Sequence, residues 1–194
     1  MNELNLPILS SVKVDNINVF IEYWSKLYSY RDEWKYSENI YLAQFTDINI
    51  LQLFEWKNGS ELSEGKSEGF RRNILGKLQE INLFKSSANL IQEEFLSEFE
   101  SVTAVWKIFL LHTIKPNKYP IYDQHVHRAY NYIKGIPFEQ IKNTIPDKEK
   151  LNFYFGDYLT FINSIRISDL KKMDEAFFAF GKLLNTGGYQ RTII

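Results

Sequence analysis

The sequence predicts an all-α protein, and three observations support this fold class. Apolar residues recur at helical spacing in almost every segment, whereas alternating patterns never exceed four residues, so no convincing strand is predicted. Residues that favour helix starts precede these segments, and glycine or proline follows several of them. The 194-residue chain is 44% hydrophobic and 16% aromatic, so we expect a packed core rather than disorder.

The first hundred residues predict helices separated by polar segments. The expected elements are, in order, a helix that Asp15 or Asn16 caps and that ends near Tyr30, a loop over 31–37, a short helix over 38–45, a helix over 48–56 that Thr46 or Asp47 caps and Gly59 stops, a loop over 60–69, a helix over about 67–80, and a helix from a Ser86 or Ser87 cap to Glu98. In the helix over 48–56, the apolar positions are Ile48, Leu51, Leu53 and Phe54.

The second half begins with a tight turn at 99–103 that leads into a helix over 104–113. This helix is apolar all round, so it is predicted to be the central buried helix. The remaining expected elements are a break at 115–118, a helix that Asp123 caps and that runs to about Lys134 with Gly135 as its stop, a helix over about 147–165, and a helix from a Ser168 cap to just before Gly187-Gly188.

Composition excludes several kinds of site. The chain has no cysteine, which excludes disulfides, iron–sulfur clusters and thiolate zinc sites. His125 and His127 are two positions apart on a helix and point in nearly opposite directions, so we expect no metal site and no cofactor. No apolar run approaches the roughly 20 residues of a membrane span. The N-terminus lacks a basic region followed by an apolar core, so we expect no signal peptide and a cytoplasmic location.

Charge is distributed unevenly along the chain. Residues 1–100 carry 10 basic and 16 acidic side chains, whereas residues 101–194 carry 13 and 8. Within 101–134 five basic residues surround one acid, Asp123. This pattern is typical of a surface that meets an anion, or of an acidic lobe that faces a basic one, and the sequence leaves both interpretations open.

The segment over 99–106 reads Phe-Glu-Ser-Val-Thr-Ala-Val-Trp, and Pro-Ile-Tyr-Asp-Gln-His-Val-His-Arg-Ala follows the next apolar helix. This combination resembles the helix-hairpin-helix DNA glycosylase superfamily, in which a Leu-Pro-Gly-Val-Gly hairpin precedes a Pro-Val-Asp-Thr-His-Val-x-Arg-Val segment. Thr103 takes the position of the second glycine, and Asp123 lies twenty residues further on. Asp123, His125, Val126 and Arg128 match the pattern Asp-x-His-Val-x-Arg without a gap.

The resemblance implies a single unit over 1–194 made of two helical lobes with a cleft. Lobe A would span about 35–122 and carry the hairpin, and lobe B would combine about 1–34 with 123–194. It also implies hydrolysis of the N-glycosidic bond of a damaged or modified base that is flipped out of DNA, with Asp123 as the catalytic carboxylate. The partner would be DNA, expected as a duplex, and the protein is expected to be a monomer.

The same resemblance implies roles for further residues. Ser101, Val102, Thr103 and Ala104 would bind the DNA backbone, because N–H groups at a helix start bind phosphate. Trp56, Lys57 and Asn58 would form a wedge that enters the DNA stack, or else Trp56 is the last core residue of its helix. His125 and Arg128 would brace the helix that begins after Asp123.

The chain departs from the family at the hairpin. Ser101 and Thr103 replace the glycines, so hydroxyl groups would take part in binding phosphate. Val105 stands where members that also nick the strand carry lysine, so an active enzyme is expected to be monofunctional, without lyase activity.

Two other functions stay open. A non-catalytic module on the same scaffold would bind nucleic acid or a protein partner, with Asp123 as a plain helix cap. Action on a free nucleoside or modified nucleotide would require a closed pocket. The enzyme interpretation requires a roomy pocket that opens onto Asp123, whereas the binding module tolerates a cleft filled by aromatic side chains.

Overall fold

The structure is a computed structural model that describes residues 17–136, 145–165, 167 and 169–185. Within these ranges it contains helices and no strand, which confirms the predicted all-α class. The α-helices, numbered in chain order, are α1 (Ile17–Trp24), α2 (Trp34–Ser37), α3 (Asp47–Asn58), α4 (Glu64–Asn73), α5 (Leu78–Ser86), α6 (Gln92–Glu98), α7 (Ala104–Ile114), α8 (Gln124–Ile133), α9 (Asp147–Asn152), α10 (Leu159–Ile165) and α11 (Leu170–Leu184). None of these described helices has the length and apolarity that crossing a membrane requires.

Other helical windings connect some of these elements. Ser25–Leu27 and Leu75–Lys77 are 3₁₀ turns, and Phe153–Tyr158 is a π-helical segment that joins α9 to α10. The helix predicted over 147–165 is therefore one rod, with a wider winding at its middle.

Helix ends with local sequence signals form where they were predicted. Thr46 caps α3 in a capping box with Asn49, and Gly59 ends that helix in the left-handed conformation with φ 76°. Asp123 caps α8, and Gly135 follows with φ 66°. The expected caps Asp15, Asn16 and Ser168 and the expected stop Gly187-Gly188 lie outside the described residues. Asp169 caps α11 by accepting a hydrogen bond from the Lys172 N–H.

The short helix predicted over 38–45 is wrong, because long-range side-chain hydrogen bonds fix this segment in turns. The Asn39 amide donates to Lys35 O and to Gln52 Oε1 of α3, both at 2.9 Å. The Asn82 amide donates to Phe45 O and accepts from the Phe45 N–H. The loop predicted over 31–37 is also wrong in part, since its second half forms α2.

The boundaries predicted between 60 and 98 also shift. The loop over 60–69 already contains the start of α4, and the helix expected over 67–80 breaks at a 3₁₀ turn before α5. α6 begins only at Gln92, because the hydroxyl of the predicted cap Ser87 donates to Asn89 O instead of capping a helix. Ile48, expected on the apolar face of α3, is 66% exposed, and the buried side chains of that helix are Ile50, Leu53, Phe54 and Trp56.

α7 is the central buried helix, as its composition predicts. All side chains from Lys107 to Ile114 are buried, and Phe109 packs against the rings of Phe54 and Trp56 of α3. Its N-terminus lies next to α9. α7 therefore connects the 99–103 turn to the interior of the protein.

α11 crosses both α8 and α1. Phe20 of α1 meets Phe177 and Phe180 of α11 edge-on, with ring centroids 5.9 and 5.2 Å apart, so the first and last described helices pack together. At the crossing with α8, a Cβ on Gly181 would lie 1.9 Å from His125 O. Only glycine permits this approach, which holds the first turn of α8 against α11.

Candidate functional site

Asp123 stands at the end of a buried extended run that begins at Tyr119. The Tyr154 hydroxyl donates to Pro120 O at 2.8 Å, and Asp174 Oδ2 accepts from the Ile121 N–H at 2.8 Å. These two contacts fix the backbone that leads into α8. They therefore also fix the position of the Asp123 carboxyl group.

The two oxygens of the Asp123 carboxylate have different partners. Oδ1 accepts hydrogen bonds from the N–H groups of His125 at 2.8 Å and Val126 at 3.0 Å. Oδ2 lies 3.5 Å from the ammonium group of Lys57, which also donates to Tyr122 O at 3.0 Å. The Lys57 side chain is only 7% exposed, so this ion pair is shielded from solvent.

These partners keep Asp123 ionised. Burial alone would raise the pKa of its carboxyl group, but the Lys57 charge and the N–H bonds from Val126 and His125 outweigh that effect and hold the pKa below its ordinary value. The helix dipole of α8 acts in the same direction. An anionic carboxylate is therefore held at this helix start at neutral pH.

Asp123 lines a small cavity of about 30 Å³. The cavity is bounded by Tyr28, Tyr30, Trp56, Lys57, Ile121, Asp123, Val126, Lys171, Asp174, Glu175 and Phe178. Tyr28 and Tyr30 are stacked with a 9° interplanar angle, and Phe178 meets both rings edge-on. We refer to Tyr28, Tyr30 and Phe178 as the aromatic wall. The volume corresponds to about one water molecule's share of liquid, which is roughly 30 Å³.

A second carboxyl group, Asp174, lines the same cavity from α11. It is 4% exposed, and its Oδ1 atom has no hydrogen-bond partner among the described residues. Burial raises the pKa of Asp174 well above its ordinary value, and the nearby charge of Asp123 adds to that effect. The Ile121 N–H, Lys171 and Lys57 act in the opposite direction without reversing it. The cavity thus combines one carboxyl group whose pKa is lowered with one whose pKa is raised.

The ammonium group of Lys171 is bound by other groups. It lies 2.6 Å from Glu33 Oε1 and 3.1 Å from Glu175 Oε1. It also lies over aromatic rings, at distances of 4.6 to 5.4 Å from their centroids, namely those of Tyr28, Tyr36 and Trp56. These partners limit how far the charge of Lys171 favours the ionised form of Asp174.

His125 and Arg128 lie side by side in α8. Arg128 lies within hydrogen-bond distance of His125 Nδ1 and donates to Gln124 Oε1, both at 3.2 Å, and the His125 ring packs edge-on against Phe178. Burial lowers the pKa of His125. Both side chains interact with their own helix or with α11.

The other two histidines have separate partners. His127 stacks on Phe153 at 3.9 Å and lies 2.8 Å from the Tyr122 hydroxyl. His112 lies between Tyr119 O and the Tyr36 hydroxyl, at 2.7 and 2.8 Å. Each imidazole therefore has its own structural contacts.

The 99–103 turn lies at the surface, at the N-terminus of α7. Ser101 and Thr103 are exposed, whereas Val102 is buried, and the Thr103 side chain makes no capping hydrogen bond. The Ala104 N–H donates to Asp147 Oδ2 at 2.7 Å. One of the backbone donors predicted to bind phosphate is therefore occupied by a carboxylate of the same chain.

The structure separates the three residues of the predicted wedge. Trp56 is 5% exposed and donates from Nε1 to Glu33 Oε2 at 2.9 Å. Lys57 points to Asp123, and the Asn58 amide donates to Ser60 and Glu61 at the end of α3. A wedge must extend from the surface into the base stack. The placement of Trp56 and Lys57 does not support that role.

Sequence reasoning missed Asp174 and Asp147, and it assigned Lys57 to the DNA wedge rather than to a contact with Asp123. Lys57 precedes the stop of α3 and resembles an ordinary C-terminal cation, Asp174 occurs on an amphipathic helix, and Asp147 resembles a plain helix start. Asp174 offered one signal, since it is a carboxylate surrounded by the apolar residues Met173, Ala176 and Phe177. The other two carried no local signal.

Comparisons with protein-family models, with curated proteins and with solved structures found no match to this chain. The chain is therefore characterised by the geometry of its own residues. In that geometry Asp123, Asp174 and Lys57 converge on a cavity behind an aromatic wall.

Proposed function

We propose that this protein is a DNA N-glycosylase that hydrolyses the bond between a flipped base and its sugar. Asp123 would stabilise the positive charge that develops on the sugar and orient the attacking water. The observation that carries the proposal is the ionised Asp123 carboxylate, fixed by α8 and Lys57 at an aromatic-lined cavity.

The chemistry requires an anion that is held in place and is ionised when the bond breaks. When the C1′–N bond breaks, its electron pair leaves with the base and the sugar becomes an oxocarbenium ion. A carboxylate fixed by two N–H groups stabilises that cation without reorganising at the moment of reaction. Water then attacks C1′ and loses a proton to Asp123, which returns the proton to solvent.

The aromatic wall supports recognition of a base. Bases that leave the duplex are held by stacking on aromatic side chains, and Tyr30 and Phe178 present such rings beside Asp123. The cavity is smaller than the roughly 300 Å³ at which ligand pockets begin. The described residues therefore do not form the roomy pocket that the enzyme interpretation requires, and a base can enter only if the site widens.

The surface around the 99–103 turn supports a contact with the DNA backbone. The exposed Ser101 and Thr103 offer hydroxyl donors at the start of α7, and Lys66 lies beside them in a shared groove. Val105 remains at the position where a lyase would carry lysine, so the proposed reaction ends with an abasic site.

The test is incubation with duplexes that each carry one modified base, followed by alkaline cleavage at abasic sites. The wild type is expected to release at least one base, and Asp123→Asn to reduce that release by about 100-fold or more. Asparagine keeps the Oδ1 acceptor for the α8 N–H groups, so folding and DNA binding should persist. Equal release by the variant would remove Asp123 from the chemistry.

A non-catalytic module that binds nucleic acid is the second candidate, and the small cavity favours it. The module would bind DNA through the turn at 99–103 and need no base pocket. Fluorescence anisotropy with matched normal and modified duplexes separates the two candidates. Equal affinity for both duplexes, with no abasic site after alkali, would support the module and contradict the enzyme.

A further inference from the structure

We propose that Asp174 is a second catalytic carboxyl group, the general acid that protonates the leaving base. The inference rests on the proposed glycosylase function. It assigns the site to bases that are uncharged before they leave, because a neutral base becomes a better leaving group when it gains a proton.

The argument begins with the unsatisfied oxygen of Asp174. Oδ2 accepts from the Ile121 N–H, whereas Oδ1 is buried and has no hydrogen-bond partner within the described ranges. Buried polar atoms without a partner are rare and destabilising, so each one requires an explanation. Asp174 is a lining residue of the cavity, and a protonated carboxyl group there is a hydrogen-bond donor for a bound base.

The choice of residue supports the same conclusion. Asparagine would accept the Ile121 N–H equally well and would carry no ionisation cost. Unlike asparagine, aspartate at this position can supply an acidic proton. The groups that face it are Lys171 of α11, Lys57 of α3, Asp123 before α8, Tyr36 of α2, and Tyr154 and Tyr158 of the π-helical segment.

The nearby cations Lys171 and Lys57 have other partners, which limits how far their charges favour the ionised form of Asp174. Lys171 is bound to Glu33 and Glu175, and Lys57 is bound to Tyr122 O and Asp123. Burial raises the pKa of Asp174, while Lys57 and N–H bonds lower that of Asp123. Two carboxyl groups whose pKa values are driven apart in one cavity have the properties of an acid and an anion that act together.

The reaction balances with these two groups. Asp174 O–H transfers its proton to an acceptor atom of the base, a ring nitrogen of hypoxanthine or a carbonyl oxygen of uracil, as the C1′–N bond breaks, and the base takes the electron pair of that bond. Water adds to C1′ and gives up a proton through Asp123 to solvent. Asp174 regains a proton from solvent, so one water is consumed and the base leaves neutral.

The test compares two kinds of duplex in single-turnover assays with the full chain. One kind carries uracil or hypoxanthine, which are neutral, and the other carries an alkylated guanine with a fixed positive charge, which leaves without protonation. For Asp174→Asn we expect neutral-base release to fall about 100-fold or more while release of the cationic base stays within a few-fold. Tyr158→Phe is the matched control, because among the described residues Tyr158 carries the other buried side-chain oxygen without a hydrogen-bond partner, and Tyr158 does not line the cavity.

Each outcome decides the assignment. Equal neutral-base release by wild type and Asp174→Asn overturns the acid role and leaves the glycosylase function intact. Equal loss on both kinds of duplex makes Asp174 a structural residue and also overturns it. If the wild type releases no base from any duplex, the proposed function fails and the acid role fails with it.

A stability measurement tests whether Asp174 is protonated in the folded protein, and it requires no enzymatic activity. The folded pKa of Asp174 is raised, so the wild type loses stability relative to Asp174→Asn as pH rises above the ordinary value of 3.8. The ratio of the two unfolding equilibrium constants should change about tenfold per pH unit there. A ratio that does not change with pH would mean that Asp174 is ionised in the fold, which overturns the proposal.

Discussion

The N-termini of α7 and α8 are both capped by an aspartate, but the two aspartates come from different places. Asp123 caps α8 from the position directly before it. Asp147 caps α7 from the first turn of α9, 43 residues away from Ala104. The local cap also carries the proposed chemistry, whereas the remote cap occupies a donor that the proposed DNA contact would use.

This difference determines how easily each capping aspartate can be displaced from its helix N-terminus. Asp123 is enclosed by Lys57, Tyr122 and the first turn of α8, so its carboxylate is rigid. Asp147 has a side chain that is 47% exposed and shares its charge with Lys150. A remote and exposed cap can be displaced by a competing anion, whereas the local cap cannot.

The largest expected effect concerns the packing that holds the start of α8. Gly181→Ala would bring Cβ to 1.9 Å from His125 O, which forces α8 and α11 apart. We expect a loss of about 3 kcal/mol in the free energy of unfolding, at the upper end for overpacking. Urea denaturation measures it. Gly156→Ala is the control, because no atom lies within 4 Å of its added Cβ. A loss below that of the control would show that α8 does not depend on this crossing.

The second effect concerns the C-terminal half of α7, where His112 is buried and neutral. Burial lowers the pKa of His112 to about 3 from 6.5, so the unfolded chain binds more protons between these values. Stability should therefore fall as pH falls through this range, by about 1.4 kcal/mol per pH unit. His112→Gln should reduce that slope. An unchanged slope would mean that His112 becomes protonated within the fold.

A smaller effect distinguishes the two contributions of Asp123 to stability, as the hydrogen-bond acceptor that caps α8 and as a negative charge. Asp123→Ala removes the acceptor for two N–H groups and should cost about 1 kcal/mol in the free energy of unfolding. Asp123→Asn keeps the acceptor and should cost less, while removing the charge that the chemistry needs. Thermal unfolding of both variants measures the difference. Equal losses would assign the stability to the Lys57 ion pair rather than to the cap.

The smallest effect tests whether the cap of α7 competes with DNA. Asp147→Asn keeps an acceptor for the Ala104 N–H but removes a negative charge from the turn at 99–103, so DNA affinity should rise by about two- to fivefold at low salt. Asp157→Asn, on the same rod but not a lining residue of the groove at Asp147, is the control. Unchanged affinity would place the DNA contact elsewhere.

The same contrast explains what could be predicted from the sequence. The all-α class, the central α7, the Thr46 and Asp123 caps and the Gly59 and Gly135 stops follow from residues close in sequence. Lys57 reaches Tyr122 across 65 residues, and Asp174 reaches Ile121 across 53. Contacts over such separations depend on packing that no local pattern encodes. The cavity and the position of Asp174 in it could therefore be identified only from the structure.

The π-helical segment Phe153–Tyr158 has a consequence for how the two helix starts are linked. An extra residue within a helical turn rotates the part of the helix before it by about 100° about the helix axis, relative to the part after it. Deleting Gly156 would restore regular winding and turn α9 about its axis, which would swing Asp147 away from Ala104. The winding of this helix therefore fixes how Asp147, which caps α7 at the surface, is rotated about the helix axis relative to the buried tyrosines Tyr154 and Tyr158.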